Sequence, residues 1–224
     1  MRRVAVVLAA LLPLLLAGPL PASATPPPSR LEGLYDARQI VVVTNNSWTS
    51  AYATLTTFEK RSDGTWRRVH GPWGARVGRN GFGSPKREGD GQTPVGSYRI
   101  VSMFGVNASP GVRYTWHRMD RSDVWVDDSY SDYYNLHKRL PAKGRWRSAE
   151  SLYQPTAYAY AATIGYNMSR TPGRGSAIFF HAGTGGATAG CVSIASSRLV
   201  PILRWLDPAK KPRFVMGPES AVTA

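Results

Sequence analysis

Hydrophobic and polar positions alternate over short stretches through most of this chain, and a helical period emerges only near its end. Ile40-Val41-Val42-Val43-Thr44 is a compact apolar run that predicts a buried strand. Ala51 to Phe58, where Tyr52, Thr54 and Thr56 alternate with smaller or apolar residues, predicts its neighbour. Arg61-Ser62-Asp63-Gly64-Thr65 predicts a turn into a short strand through Trp66 and Val69, and the Gly-, Pro- and charge-rich segment from Gly71 to Gly96 predicts loop. Further strands are expected at Tyr98 to Phe104, Val124 to Val126, Tyr158 to Tyr166, Ala177 to Phe180 and Arg213 to Met216, with a polar surface excursion between Asp128 and Tyr153.

Leu199, Val200, Ile202, Leu203 and Leu206 fall at helical spacings. Ser196 or Ser197 is placed to cap the start, Pro201 in about the first turn, and Pro208 at the stop. Many short strands with one clear helix predict a mainly β domain, a sandwich or partly closed barrel.

The N-terminus changes the setting. Arg2 and Arg3 precede an apolar run from Val4 to Leu16, and Ala22-Ser23-Ala24 follows it. That layout predicts a secretory signal peptide over residues 1–24, cleaved after Ala24, and a location outside the cell or at its wall. Thr25 to Arg30 is expected to be a Pro-rich linker and 31–224 one domain, without a membrane span in the mature chain. A monomer is expected. The formal net charge of +14 favours polyanionic surroundings. The basic residues are scattered and no nucleic-acid-binding motif accompanies them, so wall polymers are the nearer partners.

Cys191 is the single cysteine, ten residues after His181. A lone thiol in an exported chain has no disulfide partner; it either packs in a core or does chemistry. Attack on a carbonyl needs thiolate character, hence a base, and the Gly-rich return between the two residues can carry His181 back to the sulfur. Backbone amides around Ala189, Gly190 and Cys191 are candidates for an oxyanion hole, and the Thr188 hydroxyl for orienting the imidazole or bonding the substrate. His70, His117, His137 and His181 lack paired ligand spacing, so no metal is expected; the glycine-rich stretches lack a phosphate-loop Lys-Ser/Thr pair, and no organic cofactor is expected.

Two separated blocks resemble the L,D-transpeptidase catalytic domain, also called YkuD-like. The first is Pro85-Lys86-Arg87-Glu88-Gly89-Asp90-Gly91-Gln92-Thr93-Pro94-Val95-Gly96-Ser97-Tyr98, and the second runs from His181 to Ile194. Trp125-Val126-Asp127-Asp128 and Tyr133-Tyr134-Asn135 between them are similar to a bacterial branch of that family. The resemblance implies a β-rich fold with the cysteine on a loop before a helix. It also implies Cys191 as nucleophile, His181 as base, and Gly190 with its neighbouring amides at the oxyanion hole.

Three departures stand out: the His181 to Cys191 spacing is short, Ala189 stands where a second histidine is common, and Ser193 stands where many members place an arginine that anchors the donor. Ser193 is then the substrate-facing residue there, and Arg174, Arg198 or Arg113 are candidate substitutes for the missing cation. Tyr133, Tyr134 and Trp116 are the aromatics expected to line a cleft. Asp127 and Asp128 read equally as binders of a stem amine or as a solvated strand end.

The implied substrate is a peptidoglycan stem peptide, cleaved before its terminal D-alanine through a cysteinyl thioester. An amine acceptor makes the chain a crosslinking transpeptidase. Water makes it a carboxypeptidase or amidase of the same bonds. An idle cleft would leave a basic wall-binding protein.

Overall fold

The computed structural model describes residues 25–223; the leader expected over residues 1–24 lies outside them. In chain order the strands are β1 (Gln39–Asn45), β2 (Tyr52–Lys60), β3 (Trp66–Arg76), β4 (Phe82–Gly83), β5 (Thr93–Pro94), β6 (Gly96–Gly105), β7 (Trp116–Arg118), β8 (Asp123–Val126), β9 (His137–Arg139), β10 (Ala149–Ser151), β11 (Ala161–Ile164), β12 (Phe179–Ala182), β13 (Val192–Ile194) and β14 (Arg213–Pro218). The helices are α1 (Ser196–Trp205) and the single-turn α2 (Glu219–Val222).

The main sheet runs β11-β12-β13-β3-β2-β1-β14-β6-β7, and β11 pairs with β6 as well. Eight strands are thereby closed into a barrel-like ring, with β7 attached outside it. Closure leaves the ring strands without free edges. This mainly β architecture, with a helix shortly after Cys191, is the fold class that the apolar pattern predicts.

The unbroken apolar run of β1 has a direct cause: every residue in it is buried, because both faces are covered. Val41 and Val43 enter the main core with Leu55, Met103, Phe180 and Phe214, while Ile40 and Val42 pack beneath Leu31, Val215 and Val222. Each such side chain stabilises the fold by about 1.5–3 kcal/mol. Thr25 to Arg30, expected as a linker, lies against the domain: Pro26 and Pro28 are buried, and the Thr25 and Thr56 hydroxyls are 2.7 Å apart.

Four local readings are corrected. β3 runs on to Arg76, into the segment expected to be loop, because Gly71 acts as an irregularity in the pairing with β2 rather than as a breaker. At φ +83° it fits where a Cβ would meet the Leu55 carbonyl oxygen at 2.4 Å. The strand expected from Tyr158 to Tyr166 is confined to Ala161–Ile164, since only those residues pair with β12 and β6.

In α1, Ala195 holds the cap position without a side-chain hydrogen bond, so neither serine caps it, and Pro201 is the sixth helical residue. Full burial of Leu199, Ile202 and Leu203 keeps the helix together despite the missing amide. The expected surface excursion supplies β9 and β10, which pair on either side of the expected strand β8 in a three-stranded sheet over Val124, Val126 and Trp146.

Candidate active site

His181 lies on β12 and pairs in parallel register with Ser193 on β13. Cys191 is two residues before Ser193, so in extended backbone the two project from the same face as His181. The Phe179 amide donates to Cys191 Sγ at 3.4 Å, and the thiol donates to the Ala177 carbonyl at 3.3 Å. Cys191 and His181 line one cleft of about 410 Å³, shared with Lys86, Glu88, Asp127, Glu150, Tyr158, Ser176, the turn from Gly186 to Gly190, and Ser193. Tyr158 joins the pair: its ring meets the imidazole edge-on at 5.2 Å between centroids, and its hydroxyl donates to Glu150 in the same cleft.

The His181 tautomer follows from geometry. Nδ1 sits 2.8 Å from the Ala182 carbonyl, which only accepts, so Nδ1 carries the proton and Nε2 is left with its lone pair. Burial lowers the His181 pKa and favours that neutral ring. Cys191 is shifted the other way. Burial, reinforced by the nearby Glu150 carboxyl, pushes the thiol up to about 12 against the pull of the Phe179 amide, Tyr158 and Lys86. The resting pair is therefore a neutral thiol and a neutral imidazole.

The turn holding the nucleophile candidate is fixed from both sequence blocks. Thr188 Oγ1 donates to the Cys191 carbonyl at 2.6 Å and accepts from the Gly190 amide at 3.1 Å. This hydroxyl organises the loop, rather than reaching the imidazole, and it occupies the amide that Gly190 was expected to offer an oxyanion. Gly190 itself has φ +152°, with the Gln92 carbonyl 2.9 Å from where a Cβ would stand. Thr93 Oγ1, fully buried, donates to the Gly190 carbonyl at 2.8 Å and accepts from the Gly78 amide at 2.9 Å. Behind it, Asp90 gathers its own loop, accepting from Lys86 Nζ at 2.7 Å and from the Arg87 and Gln92 amides at 2.6 and 2.9 Å.

Of the substrate-facing residues expected from sequence, Ser193 lines the cleft, although it is almost fully buried. Trp116 does not: its ring packs against Tyr160 and its indole donates to the Asn107 carbonyl. Tyr133 packs on Trp146 beneath Lys138 and Arg145. Tyr134 is buried behind the wall, where its hydroxyl donates to Glu88 and accepts from the Gly175 amide. In each case a core or a partner elsewhere satisfies the aromatic ring.

Arg113 is paired with Asp207 and Arg198 lies over the Trp73 ring, while Arg174 is also absent from the cleft walls; the cation that lines it is Lys86. Sequence reasoning assigned no role to Thr93, Glu150, Tyr158 or Ser176. Thr93 had a signal in its conspicuous motif. The other three are brought in by long-range folding. Among the described residues no group of three or more His, Cys, Asp or Glu side chains is arranged to hold a metal.

No curated protein and no solved structure matched the chain. A model of the YkuD family, described as the L,D-transpeptidase catalytic domain, matches residues 39–215, which takes in the whole barrel core from β1 into β14 and both loop blocks around the cleft. The chain belongs to the L,D-transpeptidase catalytic domain family, whose enzymes act on peptidoglycan.

Proposed function

We propose that this protein is a peptidoglycan L,D-transpeptidase working through a Cys191 thioester on the outer face of the cell, where its N-terminal segment would direct it. The observation that carries the reading is the shared cleft of Cys191 and a His181 whose Nδ1–H is tied to the Ala182 carbonyl.

The stem carbonyl between the L-centre of the third-position diamino acid and the terminal D-alanine sits over the sulfur. As Sγ attacks, its proton passes to His181 Nε2, so no standing thiolate is required. The negative charge developing on the carbonyl oxygen is met by donors of the turn at Ala189 and Cys191. His181 then gives its proton to the leaving D-alanine nitrogen, and a thioester remains. The amine of a second stem loses a proton to His181 as it attacks, which restores the thiol and completes a crosslink between two stems.

Purified tetrapeptide stems test this. Wild-type protein is expected to release D-alanine and yield crosslinked dimers, and Cys191→Ala neither. Tripeptides without dimers would make water the acceptor and the protein a carboxypeptidase. Turnover retained in Cys191→Ala would remove the thioester altogether.

A further inference from the structure

Two oxygens in the cleft wall are buried without any hydrogen-bond partner, Asp127 Oδ1 and Ser176 Oγ. Both residues line the same cleft as Cys191. Ser176 is 6% exposed. A buried polar atom left unpaired carries the cost of its lost hydration and calls for an explanation. Asp127 follows β8, in the small sheet whose β10 carries Glu150, and Ser176 directly precedes Ala177, whose carbonyl accepts from the Cys191 thiol. Ser176 therefore adjoins the residue that touches the sulfur, and Asp127 shares the cleft with it.

The ligand's chemistry follows from what surrounds them. A carboxylate oxygen only accepts, so whatever satisfies Asp127 must donate. Glu88, Asp127 and Glu150 bring three carboxyl groups to the wall, and Asp127 and Glu88 both act electrostatically on Glu150. Lys86 is the cationic wall residue, and it is already engaged by Asp90 at 2.7 Å. The cleft thus gathers hydrogen-bond-accepting carboxyl groups on a chain of net charge +14, a setting that suits a cationic donor.

We propose that Asp127 and Ser176 form a subsite for the primary ammonium group of a stem peptide's diamino acid, and that this contact, rather than an arginine anchor at position 193, selects the substrate. It rests on the reading of the protein as a stem-peptide enzyme. Ammonium has three donors, enough for Asp127, Ser176 and one further acceptor in the wall. The ammonium has two sources, the donor stem or the acceptor stem, and both carry the same group.

The test uses Cys191→Ala protein, which binds without turning over, and stem peptides containing meso-diaminopimelate. Tetrapeptide and tripeptide are each prepared with the side-chain amine free or acetylated, and Kd is measured for all four. Acetylation is expected to weaken binding about tenfold or more. Adding Asp127→Asn should bring the free peptide down to the level of the acetylated one.

Discrimination in the tetrapeptide places the donor's amine at Asp127; discrimination confined to the tripeptide places the acceptor's. Equal affinity for free and acetylated forms in both series, or discrimination that survives Asp127→Asn, overturns the subsite. D-alanine release from the free tetrapeptide by the wild type separates this failure from failure of the enzyme assignment: release without discrimination sinks the subsite alone, and no release sinks the enzyme reading.

Discussion

At Cys191 the structure gives a buried thiol that is held protonated at rest. Burial and Glu150 push its pKa up to about 12, while burial keeps His181 neutral. A thiol with so high a pKa holds little thiolate at neutral pH, and that fraction grows about tenfold for each pH unit below the pKa. In substrate-free protein, iodoacetamide labelling of Cys191 is therefore expected to be slow at pH 7 and to climb without levelling between pH 7 and 9. A plateau reached below pH 8 would mean a preformed thiolate and contradict the resting state described.

Cys191 and His181 stood out in the sequence because each is chemically conspicuous and both fall in one Gly-rich block, and the structure brings them to one cleft. Trp116 and Tyr133 were misread, since an aromatic side chain satisfies a core as readily as a cleft. Tyr158 was read only as the start of a strand, yet a turn placed before β11 turns its hydroxyl toward Glu150 and the sulfur.

At the scale of elements, the two motif blocks act as one unit. The Thr93 hydroxyl, at β5, accepts from the Gly78 amide and donates to the Gly190 carbonyl, 97 residues further along the sequence. Thr93→Val keeps the shape and removes both bonds at a buried site, leaving the Gly78 donor unpaired there. It is expected to cost about 1–3 kcal/mol in thermal or urea unfolding and to slow D-alanine release, with Thr93→Ser restoring most of both. A valine variant with unchanged stability and rate would show that the bridge does not position the turn.

Strand identity was legible where apolar runs are long, as in β1. It was misjudged where pairing decides the outcome: β3 passes through a Gly-Pro segment because β2 offers it a partner on both sides of Gly71, and β9 and β10 are short strands that pair locally on β8 over a satellite core. Hydrophobic period carries no information about such partners.

At the scale of the whole molecule, the barrel carries β12 and β13 side by side, and the cleft that they line is shared by Asp127, which follows β8, and Glu150 of β10. The mainly β class could be read from spacing, whereas ring closure depends on the β11–β6 pairing, which joins segments about 60 residues apart. The acidic wall was equally hidden, because Glu88, Asp127 and Glu150 are scattered in the sequence and only folding gathers them.

The account turns on proton transfer from Cys191 to His181 within that cleft, and mass spectrometry of the intact protein exposed to a carbapenem follows the acylation it permits. One covalent adduct is predicted on the wild type, none on Cys191→Ala, and on His181→Ala the same adduct forming slower by about 10²-fold or more. An adduct on Cys191→Ala, or an unchanged rate in a folded His181→Ala protein, would contradict it.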